Sequence, residues 1–228
     1  MANLNQFRDF TFIVCIDIAK NVFQVFSCNC QTGEISNEQV SRNQLLEDFA
    51  NAGKCLIGME ACGSSQYWAR KLIALGHEVR LMDAKLVKPF VFRNKSDKAD
   101  SEGIFHAVMQ GVRTVAVKNE IERDIQTLLT MRAKHVEQRT ANINHVRGLL
   151  AEYGMVMPKN FAQFNRHVDD CINALEGDAV QLVIDTLRDT VRAIRAADER
   201  LFVLKQEITK LAQTTKHAKH LLMRTWCR

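Results

Sequence analysis

The chain has 228 residues, with 31 Lys+Arg against 26 Asp+Glu, and 46% of its residues are hydrophobic. This composition is globular and excludes disordered and low-complexity classes, and the length allows one large domain or two small ones. The apolar stretch at residues 10–16 is interrupted by Asp17, so it is shorter than the roughly 20 residues of a membrane span. It also lacks the cleavage site of a signal peptide. We therefore expect a cytoplasmic protein without a membrane partner.

The cysteines and the basic residues are distributed differently along the chain. The seven cysteines are scattered and contain no Cys-x-x-Cys pair, which favours buried thiols in a reducing compartment. The net charge of +5 comes mainly from residues 80–98, whose acids are Asp83 and Asp97. The basic residues of this segment are Arg80, Lys85, Lys88, Arg93, Lys95 and Lys98. Such a segment is either a solvated face or a contact for an acidic partner such as nucleic acid.

The first half of the chain predicts strands that alternate with helices. A helix is predicted from a cap at Ser41 to residue 52, and another from Ser64 or Ser65 to a stop at Gly76. Short apolar or β-branched runs predict strands at residues 12–16, 22–26, 35–40, 55–59 and 77–82. This order predicts an α/β fold in which helices pack on a mixed sheet.

The chain beyond residue 118 reads as almost wholly helical, with long helices predicted at residues 119–153 and 178–213 and a shorter one between them. The second long helix has a heptad pattern that drifts where Asp198 and Lys205 occupy core positions. Such drift favours antiparallel or bundled packing over a parallel zipper. The helices form either a dimerising coiled-coil arm or an intramolecular hairpin. We predict domains at residues 1–118 and 119–215, followed by a basic tail at 216–228.

Four acids occupy positions that favour a metal site. Asp17 and Glu60 each follow a buried strand, where a carboxylate is desolvated unless it has a partner such as a metal ion. Asp97 and Asp100 are three residues apart and share one face of a predicted helix. Oxygen ligands from separate elements suit a pair of Mg²⁺ ions that hold a phosphodiester. Each acid alone can equally be a cap, a turn residue or a partner of a helix dipole.

The basic segment adjoins these acids, and its side chains would contact a nucleic-acid backbone. The candidate nucleic-acid contacts are Lys85, Lys88, Arg93, Lys95 and Lys98.

The same residues carry a family resemblance. Residues 16–25 resemble the opening motif of the DEDD insertion-sequence transposases, the group that includes the Piv-type DNA invertases. Residues 58–63 resemble the second motif of that family, and residues 88–91 with 94–100 resemble the third. Residues 138–154 resemble the helix that follows. The order and spacing of these segments make the resemblance specific.

The resemblance implies the fold, cofactor and partners of the chain. It implies an N-terminal RuvC-like domain of the ribonuclease-H superfamily and a coiled-coil arm at residues 119–213 that assembles homo-oligomers. It implies that DNA and a structured guide RNA encoded by the mobile element are partners. The family's catalytic, Mg²⁺-binding tetrad falls on Asp17, Glu60, Asp97 and Asp100.

Full-length relatives continue past the helical arm into a domain that carries a catalytic serine. This chain ends at Arg228 without a matching motif. The resemblance therefore predicts a transposase or site-specific recombinase that lacks its serine-bearing half. The alternatives are a fragment that binds nucleic acid and pairs through residues 119–213 without catalysis, a pseudogene product, and a stand-alone nuclease with the same tetrad.

Overall fold

The computed structural model describes residues 4–91 and 96–214. The chain divides into two compact units, Met1–Asn119 and Glu120–Arg228. Two of the predicted nucleic-acid contacts, Arg93 and Lys95, lie outside the described residues, as does the predicted tail at 216–228.

The first unit is built around a mixed sheet that has six strands within the described residues, in the order β3-β2-β1-β4-β5-β6. The first three strands form antiparallel pairs, β4 and β5 run parallel to β1, and β6 is antiparallel to β5. The strands are β1 (Phe12–Asp17), β2 (Val22–Asn29), β3 (Ile35–Ser41), β4 (Cys55–Glu60), β5 (Glu78–Met82) and β6 (Thr114–Val115). The predicted α/β fold with a mixed sheet is confirmed. The sequence did not predict β6, because two exposed residues leave no apolar pattern.

Helices cover both faces of this sheet. They are α1 (Leu45–Ala50), α2 (Ser65–Ala74), α3 (Ala84–Val87) and α4 (Asp97–Met109). One apolar cluster joins Ile13 and Cys15 of β1 to Ile104 of α4. The other joins Ile16 of β1 to Trp68 of α2. Burial on both faces explains why β1 and β4 are continuous apolar runs rather than alternating ones.

The predicted cap at Ser41 is wrong. Ser41 is the last residue of β3 and pairs with Val22, so it continues the sheet instead of starting a helix. Helix α1 begins four residues later, with Gln44 at the N-cap position and no side-chain cap bond. The predicted stop at Gly76 has a φ of 94°, a left-handed conformation that glycine adopts without steric penalty.

Glycine occupies one contact position between α4 and the sheet and another between α4 and the segment that follows the 3₁₀ turn Lys88–Phe90. A Cβ at Gly58 of β4 would be 2.5 Å from Cγ2 of Val108 and 3.2 Å from Sγ of Cys15. A Cβ at Gly103 of α4 would be 2.6 Å from Cγ2 of Val91 and 3.3 Å from its backbone nitrogen. Real Cβ atoms do not approach other heavy atoms to 2.5 or 2.6 Å, so a side chain at Gly58 would push α4 away from β4, and one at Gly103 would push it away from Val91.

The second unit contains α5 (Glu120–Glu152), α6 (Phe161–Asn173) and α7 (Gln181–Gln213). Helices α5 and α7 pack antiparallel, because Ile125 near the start of α5 clusters with Ile208 near the end of α7. Further along α5, Val146 clusters with Val191 and with α6. Between these two apolar clusters, Arg139 of α5 forms an ion pair with Asp198 of α7. Asp198, which interrupts the heptad pattern, therefore has a partner within the chain.

Two further features of the described residues concern membrane-spanning helices and the state of the cysteines. Across residues 4–91 and 96–214, no helix combines the length with the apolar composition that a membrane span requires. The described cysteines are free thiols, and the buried ones are Cys15, Cys28, Cys30 and Cys55.

The close contact at Gly58 gives the first prediction. Gly58→Ala should lower the free energy of unfolding by about 1–3 kcal/mol, because its methyl group would overpack the contact with Val108. Gly63→Ala is the matched control, since nothing lies within 4 Å of a Cβ at that position. It should change stability by no more than about 0.5 kcal/mol. Urea denaturation followed by circular dichroism measures both, and equal stability of the two variants would contradict the close packing of α4.

Candidate metal centre

Two acids meet at the carboxyl edge of the central strands. Strands β1 and β4 are parallel neighbours whose last registered pair is Ile16 with Met59. The next residue of each strand is Asp17 and Glu60, so the two carboxylates stand side by side. Both residues are half-buried. Their strands position them because the preceding apolar residues are fixed in the core on both faces of the sheet.

Helix α4 brings two further acids to this edge. Its N-cap is Ser96, whose Oγ accepts a hydrogen bond from the backbone N–H of Ala99 at 3.3 Å. Asp97 and Asp100 lie in the first turn that follows. One carboxylate oxygen from each of Asp17, Asp97 and Asp100 lies within 4.8 Å of the others. We refer to these three residues together with Glu60 as the acidic cluster.

The acidic cluster is electrostatically coupled. Burial raises the pKa of Asp17 to about 6, and the negative charges of Asp100, Asp97 and Glu60 add to this increase. The pKa of Glu60 is also raised, first by burial and then by the charges of Asp100 and Asp83. Mutual repulsion among carboxylates is relieved when a cation lies between them. An all-oxygen donor set of this kind fits Mg²⁺ or a similar hard divalent cation.

The sequence reasoning missed one acid beside the acidic cluster. Asp83 directly follows β5, whereas Asp17 is the last residue of β1, and the charge of Asp83 acts on Glu60. Its Oδ1 also accepts a hydrogen bond from the backbone N–H of Lys85 at 2.9 Å, which caps α3. An acid directly after a predicted strand is the pattern that selected Asp17 and Glu60, and Asp83 has the same position after the predicted strand at residues 77–82.

The described basic candidates are exposed on elements that flank the acidic cluster. Lys98 lies in the first turn of α4, between Asp97 and Asp100. Lys85 belongs to α3, directly after β5, and Lys88 begins the short 3₁₀ turn that follows. Each of the three lysines is exposed, so each ammonium group is accessible to a phosphate.

Comparison with known proteins gives one family. The family model of DEDD transposases of the IS110 type, described as a transposase, matches residues 14–155. This range contains all four residues of the acidic cluster and covers more than half of the chain.

Three curated relatives are also transposases. A probable family 20 transposase of Pseudomonas aeruginosa is 33% identical over 195 residues, which are 85% of this chain and 58% of that protein. A putative transposase of Sinorhizobium fredii is 31% identical over 195 residues, 83% of this chain and 50% of the relative. The transposase for insertion sequence element IS1111A of Coxiella burnetii is 36% identical over 153 residues, 67% of this chain and 42% of the relative. The chain spans about half the length of the curated relatives it matches.

The raised pKa of Asp17 predicts a pH dependence of stability. An acid whose pKa increases from 3.8 to about 6 on folding stabilises the folded state only while it is protonated. Its contribution is complete at low pH and is lost as the pH rises through 6. In metal-free buffer, Asp17→Asn should therefore match the wild type near pH 4 and exceed its stability at pH 7. Urea denaturation at a series of pH values measures this difference, and parallel profiles for the two proteins would contradict it.

Proposed function

The chain belongs to the DEDD family of insertion-sequence transposases, and on this premise we propose that its first unit is a RuvC-like, metal-dependent domain that acts on DNA during recombination. The observation that carries the proposal is the convergence of Asp17, Asp97 and Asp100 within 4.8 Å, with Glu60 on the neighbouring strand. The sheet supports the fold assignment, because an antiparallel three-stranded meander followed by parallel strands is consistent with a ribonuclease-H-like architecture.

The residues of the acidic cluster have distinct tasks in this proposal. A bound Mg²⁺ would neutralise the charge of a phosphodiester and activate the attacking oxygen. Asp17, Asp97 and Asp100 would hold the cation, and Glu60 would add a further negative charge beside Asp17. Because Asp17 and Glu60 are fixed on strands, their carboxylates need little reorganisation to bind it.

The proposed substrate is DNA, and the proposed second partner is a structured guide RNA. Lys85, Lys88 and Lys98 would contact phosphate groups beside the acidic cluster, and Arg93 and Lys95 are further candidates from the sequence. Ammonium groups neutralise the backbone of a nucleic acid without reading its sequence. This role agrees with the exposure of the three described lysines.

We propose that residues 119–213 form a coiled-coil arm that joins copies of the chain. Large apolar side chains on the long helices of the second unit support this role. Phe202 and Val203 of α7 are 62% and 56% exposed, and Met131 of α5 is 50% exposed. Apolar side chains at this exposure gain free energy when a second surface covers them.

The cation site can be tested directly on the purified chain. Asp17→Ala and Asp100→Ala should each weaken Mn²⁺ binding by roughly tenfold or more, because each removes an oxygen ligand. Glu47→Gln is the matched control, since Glu47 is an exposed acid of the same unit on α1. Isothermal titration calorimetry gives the affinities. Unchanged Mn²⁺ binding in both aspartate variants would exclude the acidic cluster as the metal centre.

Incubation of the same proteins with DNA and Mg²⁺ separates the alternative roles of the chain. Strand cleavage by the wild type, abolished in Asp17→Ala, would indicate a nuclease that works without further domains. Nucleic-acid binding without cleavage would instead support a fragment that binds and pairs but does not catalyse.

The nucleic-acid interface predicts a change in salt dependence. We expect weaker binding to duplex DNA of any sequence in the triple variant Lys85→Ala, Lys88→Ala and Lys98→Ala. The slope of log K against log salt should fall by about 0.9 for each phosphate that the variant no longer neutralises. Lys54→Ala serves as the control. It removes the same kind of charge at the amino end of β4, the end opposite to the acidic cluster, because Lys54 directly precedes that strand. Equal slopes for the triple variant and the control would contradict the proposed interface.

A further inference from the structure

Strand β3 is hydrogen-bonded to the first turn of α4. The side chain of Asn37 donates from Nδ2 to the backbone carbonyl of Lys98 at 3.3 Å. The hydroxyl of Ser101 in α4 lies 3.0 Å from the same carbonyl and 3.4 Å from Oδ1 of Asn37. Lys98 lies between Asp97 and Asp100. These bonds therefore hold the turn that carries both acids against β3.

A buried amide of β2 supports Asn37 from the other side. Gln24 is only 3% exposed, and its Nε2 donates to Oδ1 of Asn37 at 2.6 Å. The bond to Lys98 requires that Nδ2 of Asn37 points at α4, which leaves Oδ1 for Gln24. This assignment fixes the orientation of both amides. Strands β2, β3 and helix α4 are thereby connected through one polar chain.

Gln24 stands directly opposite Asp17 in the register of β1 and β2. Because Asp17 is also beside Glu60, the three residues form a row across β2, β1 and β4 on the face that α4 covers. The Oε1 atom of Gln24 is buried and has no hydrogen-bond partner among the described residues. A buried acceptor without a partner destabilises the folded state, so an apolar side chain at this position would favour stability.

We propose that Gln24 and Asn37 are positioning residues for the acidic cluster. They anchor the first turn of α4 to the sheet, so that the carboxylates of Asp97 and Asp100 stay within cation-binding distance of Asp17. Asn37 makes the contact with the helix, and Gln24 sets the orientation of Asn37. The cation in this statement rests on the proposed function, whereas the anchoring of α4 does not.

Two variants and one matched control test the anchor. Asn37→Ala removes the bond to α4. Gln24→Met keeps the length of the side chain and removes both its donor and its unpaired acceptor. Ser27→Ala is the control, because Ser27 lies 3.0 Å from the hydroxyl of Ser36 and links the same two strands on the opposite face of the sheet.

Three measurements are made on each protein. Amide hydrogen exchange of residues 96–102 should be roughly fivefold faster in Asn37→Ala and Gln24→Met, as expected for the removal of one net hydrogen bond. Mn²⁺ affinity should fall roughly tenfold in both, because the turn that carries Asp97 and Asp100 is no longer held against β3, and lost support around a metal site typically has an effect of this size. The melting temperature of Gln24→Met should equal or exceed that of the wild type. Ser27→Ala should leave both the exchange and the affinity unchanged.

The outcomes separate the anchor from the metal site. Unchanged exchange in α4 for both variants would overturn the anchor. Faster exchange with a wild-type Mn²⁺ affinity in both variants would show that the anchor exists but would overturn the role of Gln24 and Asn37 as positioning residues for the acidic cluster. A lower melting temperature of Gln24→Met with unchanged exchange would show that Gln24 is merely structural. If the wild type binds no Mn²⁺ and exchange is faster in both variants, the anchor is supported and the proposed metal function fails.

Discussion

The close contact between α4 and the central sheet determines the geometry of the acidic cluster, because half of its carboxylates come from each element. Gly58 allows Val108 to rest directly on β4, and Gly103 allows α4 to meet the backbone of Val91. Both contacts lie further along the helix than Asp97 and Asp100. The contact at Gly58 sets the height of α4 above the sheet, and the contact at Gly103 packs α4 against the segment after the 3₁₀ turn. The hydrogen bond from Asn37 to Lys98 then fixes the first turn. Apolar packing therefore sets the approach of α4, and polar contacts set its final position.

The packing of α4 on the sheet holds the negatively charged carboxylates of the acidic cluster close together despite their mutual repulsion. The repulsion is visible in the pKa of Asp17, which burial and the neighbouring carboxylates raise to about 6. The start of α4 partly offsets it, because the amino end of a helix carries a partial positive charge that favours Asp97 and Asp100. The apolar contacts of Ile104 and Val108 oppose it more strongly, since burying a side chain of this size is worth about 1.5–3 kcal/mol. A cation at the acidic cluster would attract every carboxylate, outweigh the repulsion among them and add to stability through binding.

The second unit uses a charged pair in a different way. Arg139 and Asp198 meet between two apolar clusters of the α5–α7 pair, at the position where the heptad pattern breaks. A partly buried ion pair adds little net stability, but it penalises alternatives that separate its members. Shifting α7 by one turn would move Asp198 away from Arg139. The pair therefore favours the observed register of two helices that each have 33 residues.

The sequence predicted the parts of the site that depend on local pattern. Asp17 and Glu60 could be predicted because parallel strands end at the same edge of a sheet, so acids at their ends come together. The same reasoning from the sequence would predict Asp83. Ser41 misled the prediction because a serine at a strand end and a serine at a helix cap have the same local sequence. The anchor could not be predicted, since Asn37 and Ser101 are separated by 64 positions and meet only through the register of three strands and the height of α4. Residues that position a site through such long-range contacts leave no periodic or compositional signal, so a three-dimensional structure is needed to find them.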